Sequence, residues 1–190
     1  MPRRILITVL GAISSLGLNS SVFWDNLNAG RSFITPLNLP MPDVNISIGA
    51  TVPNFIPTQY FNVDKLNRID RCSQFAVAAA QEAVNDAGLI VGENSLTNAA
   101  AIIGSGCGGK NTDEETYHRL YKEQRTRVQP LTIPKGMPGA AASAISIHLG
   151  IKGPAFVVSS ACASGAHAVI QGMAMIQSGM VDVAIVGASD

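Results

Sequence analysis

Val157-Val158-Ser159-Ser160-Ala161-Cys162-Ala163-Ser164-Gly165-Ala166-His167-Ala168 changes character twice in one short stretch. It opens as an apolar, β-branched run, which reads as a buried strand. Small residues around a single cysteine follow, and from Ala166 to Ile176 the chain is rich in Ala and Met, which reads as a helix. Strand, tight turn, nucleophile and helix is the layout of an elbow that exposes one reactive side chain. A cysteine in that turn sits at a helix N-terminus, where free N–H groups and the positive end of the dipole favour the thiolate. The thiolate is the attacking form, and Ala161, Ala163, Ser164 and Gly165 leave room for a bulky substrate. The same local pattern also fits a buried structural cysteine in a helix packed on a sheet, because free cysteine is among the most buried residue types.

Outward from this stretch, strands and helices alternate. Downstream, Gly179 stops the helix and Val181 to Gly187 reads as a last buried strand. Upstream, Gly153-Pro154 turns the chain into the cysteine strand, and Gly139 to Leu149 reads as a small-residue helix closed by Gly150. Val128 to Pro138, with Pro130 and Pro134, reads as an ordered loop. Asp113 to Gln124 is the densest charge in the chain and reads as a solvated helix, its Asp113, Glu114 and Glu115 suited to the N-terminal dipole. Ala99 to Gly104 is a second core strand that runs into Gly104-Ser105-Gly106-Cys107-Gly108-Gly109. A Gly-rich loop after a strand can cradle phosphate. This one lacks the Lys-Ser or Lys-Thr ending of a P-loop, and its expected use is to make room for an extended ligand near the backbone.

Arg68 to Ala87 carries the strongest helical pattern, with Phe75, Ala79, Ala83 and Ala87 on one i, i+4 face and Gly88 at the end. Its alanines imply close packing against another backbone. Residues 31–62 hold Pro36, Pro40, Pro42, Pro53 and Pro57, an excursion of loops with a short strand near Ile46 to Val52. Before it, Asn19-Ser20-Ser21 caps a helix over Val22 to Asn28, stopped by Gly30. At the N-terminus, Arg3-Arg4 and the apolar run after it have two readings, a signal peptide or a first core strand from Arg4 to Val9 followed by a loop. The β-branched onset and the punctuation by Gly11, Ser14, Ser15 and Gly17 favour the strand.

The whole is α/β, with apolar strands that need cover on both faces of a sheet. At 190 residues the chain is long enough for one domain with a sizeable core. Apolar residues make up 47% and charged residues 14%, well under the roughly 25% charged of an average soluble domain. Such a chain hides surface against a partner or a further segment. The formal net charge is zero and no basic stripe appears, so nucleic acid is not an expected partner. No other run approaches transmembrane length, so no membrane is expected either. Cys72, Cys107 and Cys162 are an odd number without CxxC spacing, which argues against a disulfide framework and a zinc site and fits a reducing, cytoplasmic setting. No metal or other cofactor is called for.

The stretch around Cys162 resembles the active-site signature of the β-ketoacyl-acyl carrier protein synthases, condensing enzymes of the thiolase superfamily. The likeness runs along most of the chain: Trp24-Asp25-Asn26-Leu27 with Gly30-Arg31-Ser32, then Arg68-Ile69-Asp70-Arg71, Gln74 and Asp86-Ala87-Gly88-Leu89. It continues through the Gly-rich loop with Thr112 and Glu114, Ile133-Pro134, Met137, Gly150, Gly153-Pro154, Gly179, Asp182 and Gly187. The resemblance implies a thiolase-like fold, the N-terminal half of a layered αβαβα architecture with a mixed, mostly parallel five-stranded sheet. It implies that residues 1–190 form the synthase N-terminal domain and that a C-terminal half, which supplies two histidines, a lysine and an oxyanion donor, is absent from this sequence.

For the chemistry, the resemblance implies that Cys162 takes an acyl group from a carrier-protein thioester. A malonyl-carrier thioester then loses carbon dioxide, and its carbanion attacks the acyl-cysteine, as in fatty acid or polyketide synthesis. The N–H of Cys162 belongs to the oxyanion hole. Cys107 stands where the family places a side chain gating the acyl pocket, Ala161 is expected to bind substrate as a small neighbour of Cys162, and Ile133 and Met137 fall in the segment lining the partner subunit's pocket across a homodimer. Partners implied are acyl carrier protein, a second copy and the C-terminal half. Departures from the family are Val9 for a usual glycine, expected to crowd the turn after the first strand, Ser15 for proline, Gly139 for asparagine and Asp190 for glutamate. His167 lies five residues after Cys162, about 140° around a helix, so it is expected to fix the helix, and His118 and His148 are likewise read as structural. Two other functions compete: a non-catalytic remnant that pairs with full-length synthases or carrier proteins, and a thiolase-like enzyme using coenzyme A directly. A thiol on an elbow speaks against the remnant, and the Ala-Cys-Ala-Ser-Gly pattern favours the carrier-protein branch.

Overall fold

The computed structural model describes residues 4–37 and 45–190. Arg3, Pro40 and Pro42 lie outside the described residues. In chain order the elements are α1 (Ser20–Asn28), β1 (Thr35–Pro36), β2 (Ile48–Gly49), a 3-10 turn (Pro57–Gln59), α2 (Val63–Leu66), α3 (Arg71–Asp86) and α4 (Asn94–Thr97). There follow β3 (Ala100–Gly104), α5 (Lys110–Tyr117) running into a π-helical turn (His118–Lys122), α6 (Thr132–Gly136), α7 (Ala140–Leu149), β4 (Ala155–Val158), α8 (Ser164–Gln177) and β5 (Ala184–Ala188).

The centre is β3, buried along its whole length. It pairs in parallel with β4 on one side (Ala101 opposite Ala155) and with β5 on the other (Ala100 opposite Ala184). Its alternating side chains feed two cores. Ala101 and Ile103 pack with Val77, Ala80 and Val84 of α3 and with Ala141, Ala142, Ile145 and Leu149 of α7. Ala100 and Ile102 pack the other way, with Ala168 of α8 and Val181. Helices thus cover both faces of a parallel sheet, the α/β layering that the strand composition calls for. Each fully buried aliphatic side chain, such as Leu96, Ile102, Ile145 or Leu149, contributes on the order of 1.5–3 kcal/mol.

Several details differ from expectation. Among the described residues the main sheet has three strands, not five, all parallel, with order β4-β3-β5, and β1 with β2 is a separate antiparallel pair. Arg4 to Val9 forms no strand: Leu6, Ile7 and Leu10 are exposed, and the run from Ile5 to Gly11 lines a cavity of about 340 Å³ together with Val183 to Ala188 of the β5 segment. The two backbones face one cavity without a ladder between them, so no turn for Val9 to crowd is formed. Residues 132–136, expected as loop, form α6, because Pro134 sits in the first turn, where a missing N–H costs nothing. The most deeply buried side chains of α3 are Ser73, Val77, Ala78 and Val84, while Ala79, Ala83 and Ala87, only partly buried, line the cavity beside Ala80 and Val84. The close backbone approach is nevertheless real, since a Cβ on Gly11 would lie 1.9 Å from the Ala79 carbonyl oxygen.

Caps fix where the helices start. Asn19 accepts from the Val22 N–H at α1, and Asp70 accepts from the Cys72 N–H at α3. Glu82 of α3 accepts from the Ala12 and Ser20 N–H groups and from the Ser20 hydroxyl, tying the N-terminal loop down. Arg71 packs over the rings of Phe55 and Phe75, at 4.9 and 4.8 Å from their centroids, and donates to the Val52 carbonyl, which fastens the excursion to α3. Gly150 closes α7 at φ +70°.

Packing is also tight at the end of β3. A Cβ on Gly104 would lie 2.4 Å from the Ser164 carbonyl carbon and 2.5 Å from the Gly165 nitrogen. Gly104→Ala is expected to push α8 off the sheet, at about 1–3 kcal/mol, read as a lower urea midpoint. An unchanged midpoint would contradict the packing described here.

Candidate active site

β4 delivers the chain to the sheet edge, where it turns sharply before α8. The turn is built by the small residues themselves. Ala161 takes φ +52°, a left-handed conformation uncommon for a residue with a Cβ. The Ser164 hydroxyl donates to the Ala161 carbonyl at 2.6 Å and accepts from the Ser160 N–H at 2.9 Å. Backbone bonds from Ala163 N–H to Ser160 and from Ser164 N–H to Ala161 close the turn. Cys162 sits at its apex and is exposed, just ahead of Ala163, the N-cap position of α8. The buried-cysteine reading therefore fails for Cys162, and the elbow stands.

His167 Nδ1 lies 2.6 Å from the Ser160 hydroxyl, so the imidazole pins the first turn of α8 to the end of β4. The other two histidines also have structural partners. His118 faces Glu123 at 3.4 Å. His148 lies 3.1 Å from the Gln81 side-chain oxygen, against the edge of Phe61, and burial, with Lys65 nearby, lowers its pKa.

The Gly-rich loop after β3 lies against the elbow: a Cβ on Gly106 would stand 3.7 Å from Ala161 Cα. Cys107, in the middle of this loop, is exposed. On its other flank the loop meets the end of α6. Gly109 N–H donates to the Gly136 carbonyl at 3.0 Å, and a Cβ on Gly108 would lie 2.5 Å from that same oxygen and 3.0 Å from the Met137 carbonyl carbon. The loop thus meets Ala161 on one flank and Met137 on the other, with Cys107 between the two contacts. Met137 is partly exposed, and Ile133 on α6 is 75% exposed and faces outward.

Three polar residues that support this arrangement were not assigned roles from the sequence. Asp70 is buried and accepts from both the N–H and the hydroxyl of Thr112, at 2.7 and 2.5 Å, so one carboxylate joins the starts of α3 and α5. The helix expected from Arg68 starts only at Arg71, so Asp70, which that reading placed inside the helix, is its N-cap. Ser105, 1% exposed, donates to Asp190 at 2.6 Å. Asp190 also accepts from the N–H groups of Gly106, Cys107 and Gly108. Burial alone would raise its carboxyl pKa, but the bonds from Ser105, Cys107, Gly106 and Gly108 outweigh this and leave it below the ordinary aspartate range. Gly104, Gly106 and Gly109 have G-x-G-x-x-G spacing, but the amides of Gly106, Cys107, Gly108 and Gly109 are engaged inside the protein and not open to phosphate.

An exposed thiol on a strand–helix elbow, small residues about it and a Gly-rich loop lie together at the C-terminal end of a parallel sheet, the placement that nucleophilic chemistry requires of a cysteine. Residues 2–190 match the profile of the beta-ketoacyl synthase N-terminal domain, and the chain belongs to that family. It is 39% identical to nodulation protein E of Rhizobium leguminosarum bv. trifolii, over 100% of this chain and 47% of that protein. It is 32% identical to 3-oxoacyl-[acyl-carrier-protein] synthase 2 of Synechocystis, over 99% of this chain and 45% of that protein. Among solved structures, the ishigamide ketosynthase/chain length factor superposes over the whole chain and 48% of its own, with TM-score 0.92 and 28% identity. The thiolase-like expectation for the fold is met. The chain spans about half the length of the curated relatives it matches.

The three cysteines separate by environment. Cys72 is buried, and desolvation, with the charge of Asp70 behind it, pushes its thiol up to about 11. At pH 8, iodoacetamide is expected to alkylate Cys107 and Cys162 and to spare Cys72 until the chain is unfolded, as read by peptide mass mapping. Early modification of Cys72 would contradict its burial.

Proposed function

We propose that this chain, residues 1–190, is the N-terminal half of a β-ketoacyl-acyl carrier protein synthase, with Cys162 as its nucleophile. The observation that carries the reading is the exposed Cys162 on an elbow inside a family-matched chain. The Cys162 thiolate attacks the carbonyl of an acyl-carrier thioester. The tetrahedral oxyanion takes a hydrogen bond from the Cys162 N–H, the carbon–sulfur bond to the carrier breaks, and the carrier thiol leaves with a proton. Malonyl-carrier thioester then loses carbon dioxide, and its carbanion attacks the acyl-cysteine carbonyl. A carbon–carbon bond forms and the Cys162 sulfur is released.

The residues assisting decarboxylation belong to the second half. Cys107 gates the acyl pocket, Ala161 leaves the acyl group space, and Ile133 and Met137 serve the pocket of a second copy. Carrier protein is the proposed partner, as it is in the structure of a type II polyketide ketosynthase with its acyl-carrier protein. The three free cysteines suit a reducing, cytoplasmic setting.

Need for a second half has its own support. Among the described residues β5 is an edge strand with no strand on its outer side, and beside it lies the 340 Å³ cavity lined by Ile5 to Gly11. An apolar slot next to an unpaired strand edge suits an extended segment of the missing half. On the opposite edge, Ala155 and Phe156 of β4 are exposed, which suits a second copy in a homodimer.

Two outcomes are expected. The chain alone should associate in sedimentation analysis, because Leu6, Ile7, Leu10 and Met180 are exposed, and co-expression with a matching second half should give a defined assembly. A cleanly monomeric, cooperatively folding chain would contradict this. In that assembly, intact mass should rise by one acyl group after incubation with an acyl-carrier thioester. Cys162→Ala should abolish the gain and Cys72→Ala should keep it. Gain that survives Cys162→Ala would overturn the assignment, and no gain in any form would favour an interaction protein.

A further inference from the structure

We propose that Asp190 is a positioning residue, the internal anion around which the loop 105–108 is wrapped, and that it holds Cys107 in place as a wall of the acyl site. Three consecutive amides converge on its carboxylate. Gly106 N–H reaches both oxygens at 3.1 and 2.9 Å, Cys107 N–H reaches Oδ1 at 3.0 Å and Gly108 N–H reaches Oδ1 at 3.2 Å. The Ser105 hydroxyl adds a fourth donor at 2.6 Å and itself accepts from Gly108 N–H at 3.0 Å. Successive N–H groups that converge in this way form an anion-binding nest, and here the anion comes from the chain itself.

The geometry has two consequences. The carboxylate lies just beyond β5 and the nest just beyond β3, so it ties the ends of two parallel strands across a gap of more than eighty residues in sequence. Ser189 reinforces the tie, through its N–H to Gly104 and its hydroxyl to the Cys72 carbonyl. A glycine-rich loop would otherwise be free to rearrange. Pinned on Asp190, its Cys107 backbone is held beside Ala161 and the Cys162 turn, while its amides are closed to an outside phosphate. The loop's shape, and with it the discrimination among acyl chains, depends on a carboxylate that touches no substrate.

The inference rests on the acyl-transfer reading above, so its test has two arms, both on the chain assembled with its second half. In hydrogen exchange, Asp190→Ala should speed the amides of residues 106–108 at least tenfold while the α3 amides stay as in wild type. Asp190→Glu, which restores the charge, should keep them within about threefold. In acyl transfer, the ratio of short-chain to long-chain rates should shift at least fivefold in Asp190→Ala, with iodoacetamide alkylation of Cys162 within twofold of wild type. Unchanged exchange at 106–108, or an equal slowing for every acyl length, would overturn the proposal. If wild type itself transfers no acyl group, the acyl-transfer reading falls, and the exchange arm still decides whether Asp190 holds the loop.

Discussion

α8 begins with its first two residues pressed on the backbone of Gly104. Everything at the site follows from that contact. β3 is buried between two parallel neighbours, so its end is a fixed point. Because Gly104 has no side chain, Ser164 and Gly165 can lie directly over it, and the chain between β4 and α8 must then turn in a few residues. Small side chains and one left-handed residue, Ala161 at φ +52°, make that turn possible. Cys162 is lifted to its apex, and the Ser164 hydroxyl fills the hydrogen-bonding needs of the turn from inside.

The same strand end launches the Gly-rich loop, so both walls of the site spring from neighbouring strands of one sheet. Rigidity comes from carboxylates placed at a distance in sequence. Asp70 joins the starts of α3 and α5 through Thr112, and Asp190 gathers the loop amides. Neither is near Cys162 in the sequence. Each satisfies backbone donors that would otherwise be left unpaired at a helix start or in a loop.

Much of this was legible in the sequence. The elbow could be read because three local signals coincide in one short window: a β-branched run, small residues and a helical run. The two flanking strands could be read for the same reason, as apolar runs bounded by glycine. Strand pairing partners could not, since Ile5 to Val9 has a strand-like composition but gains no ladder partner among the described residues. Its apolar side chains instead line a cavity shared with β5, a tertiary circumstance that periodicity does not encode. The α6 helix was hidden by prolines, which are compatible with a first turn. The role of Asp190 was hidden because its partners lie more than eighty residues away. Among the described residues neither edge strand of the sheet has an outer partner, and the chain spans about half the length of its curated relatives.

The most direct measurement locates the acyl group. The assembled protein is incubated with an acyl-carrier thioester, digested, and sequenced by tandem mass spectrometry with and without neutral hydroxylamine. The account predicts a hydroxylamine-labile acyl group on the peptide that contains Cys162 and none on Cys107, although both thiols are exposed. Acylation on Cys107 instead, or equally on both, would contradict the claim that the elbow, rather than exposure alone, selects the nucleophile.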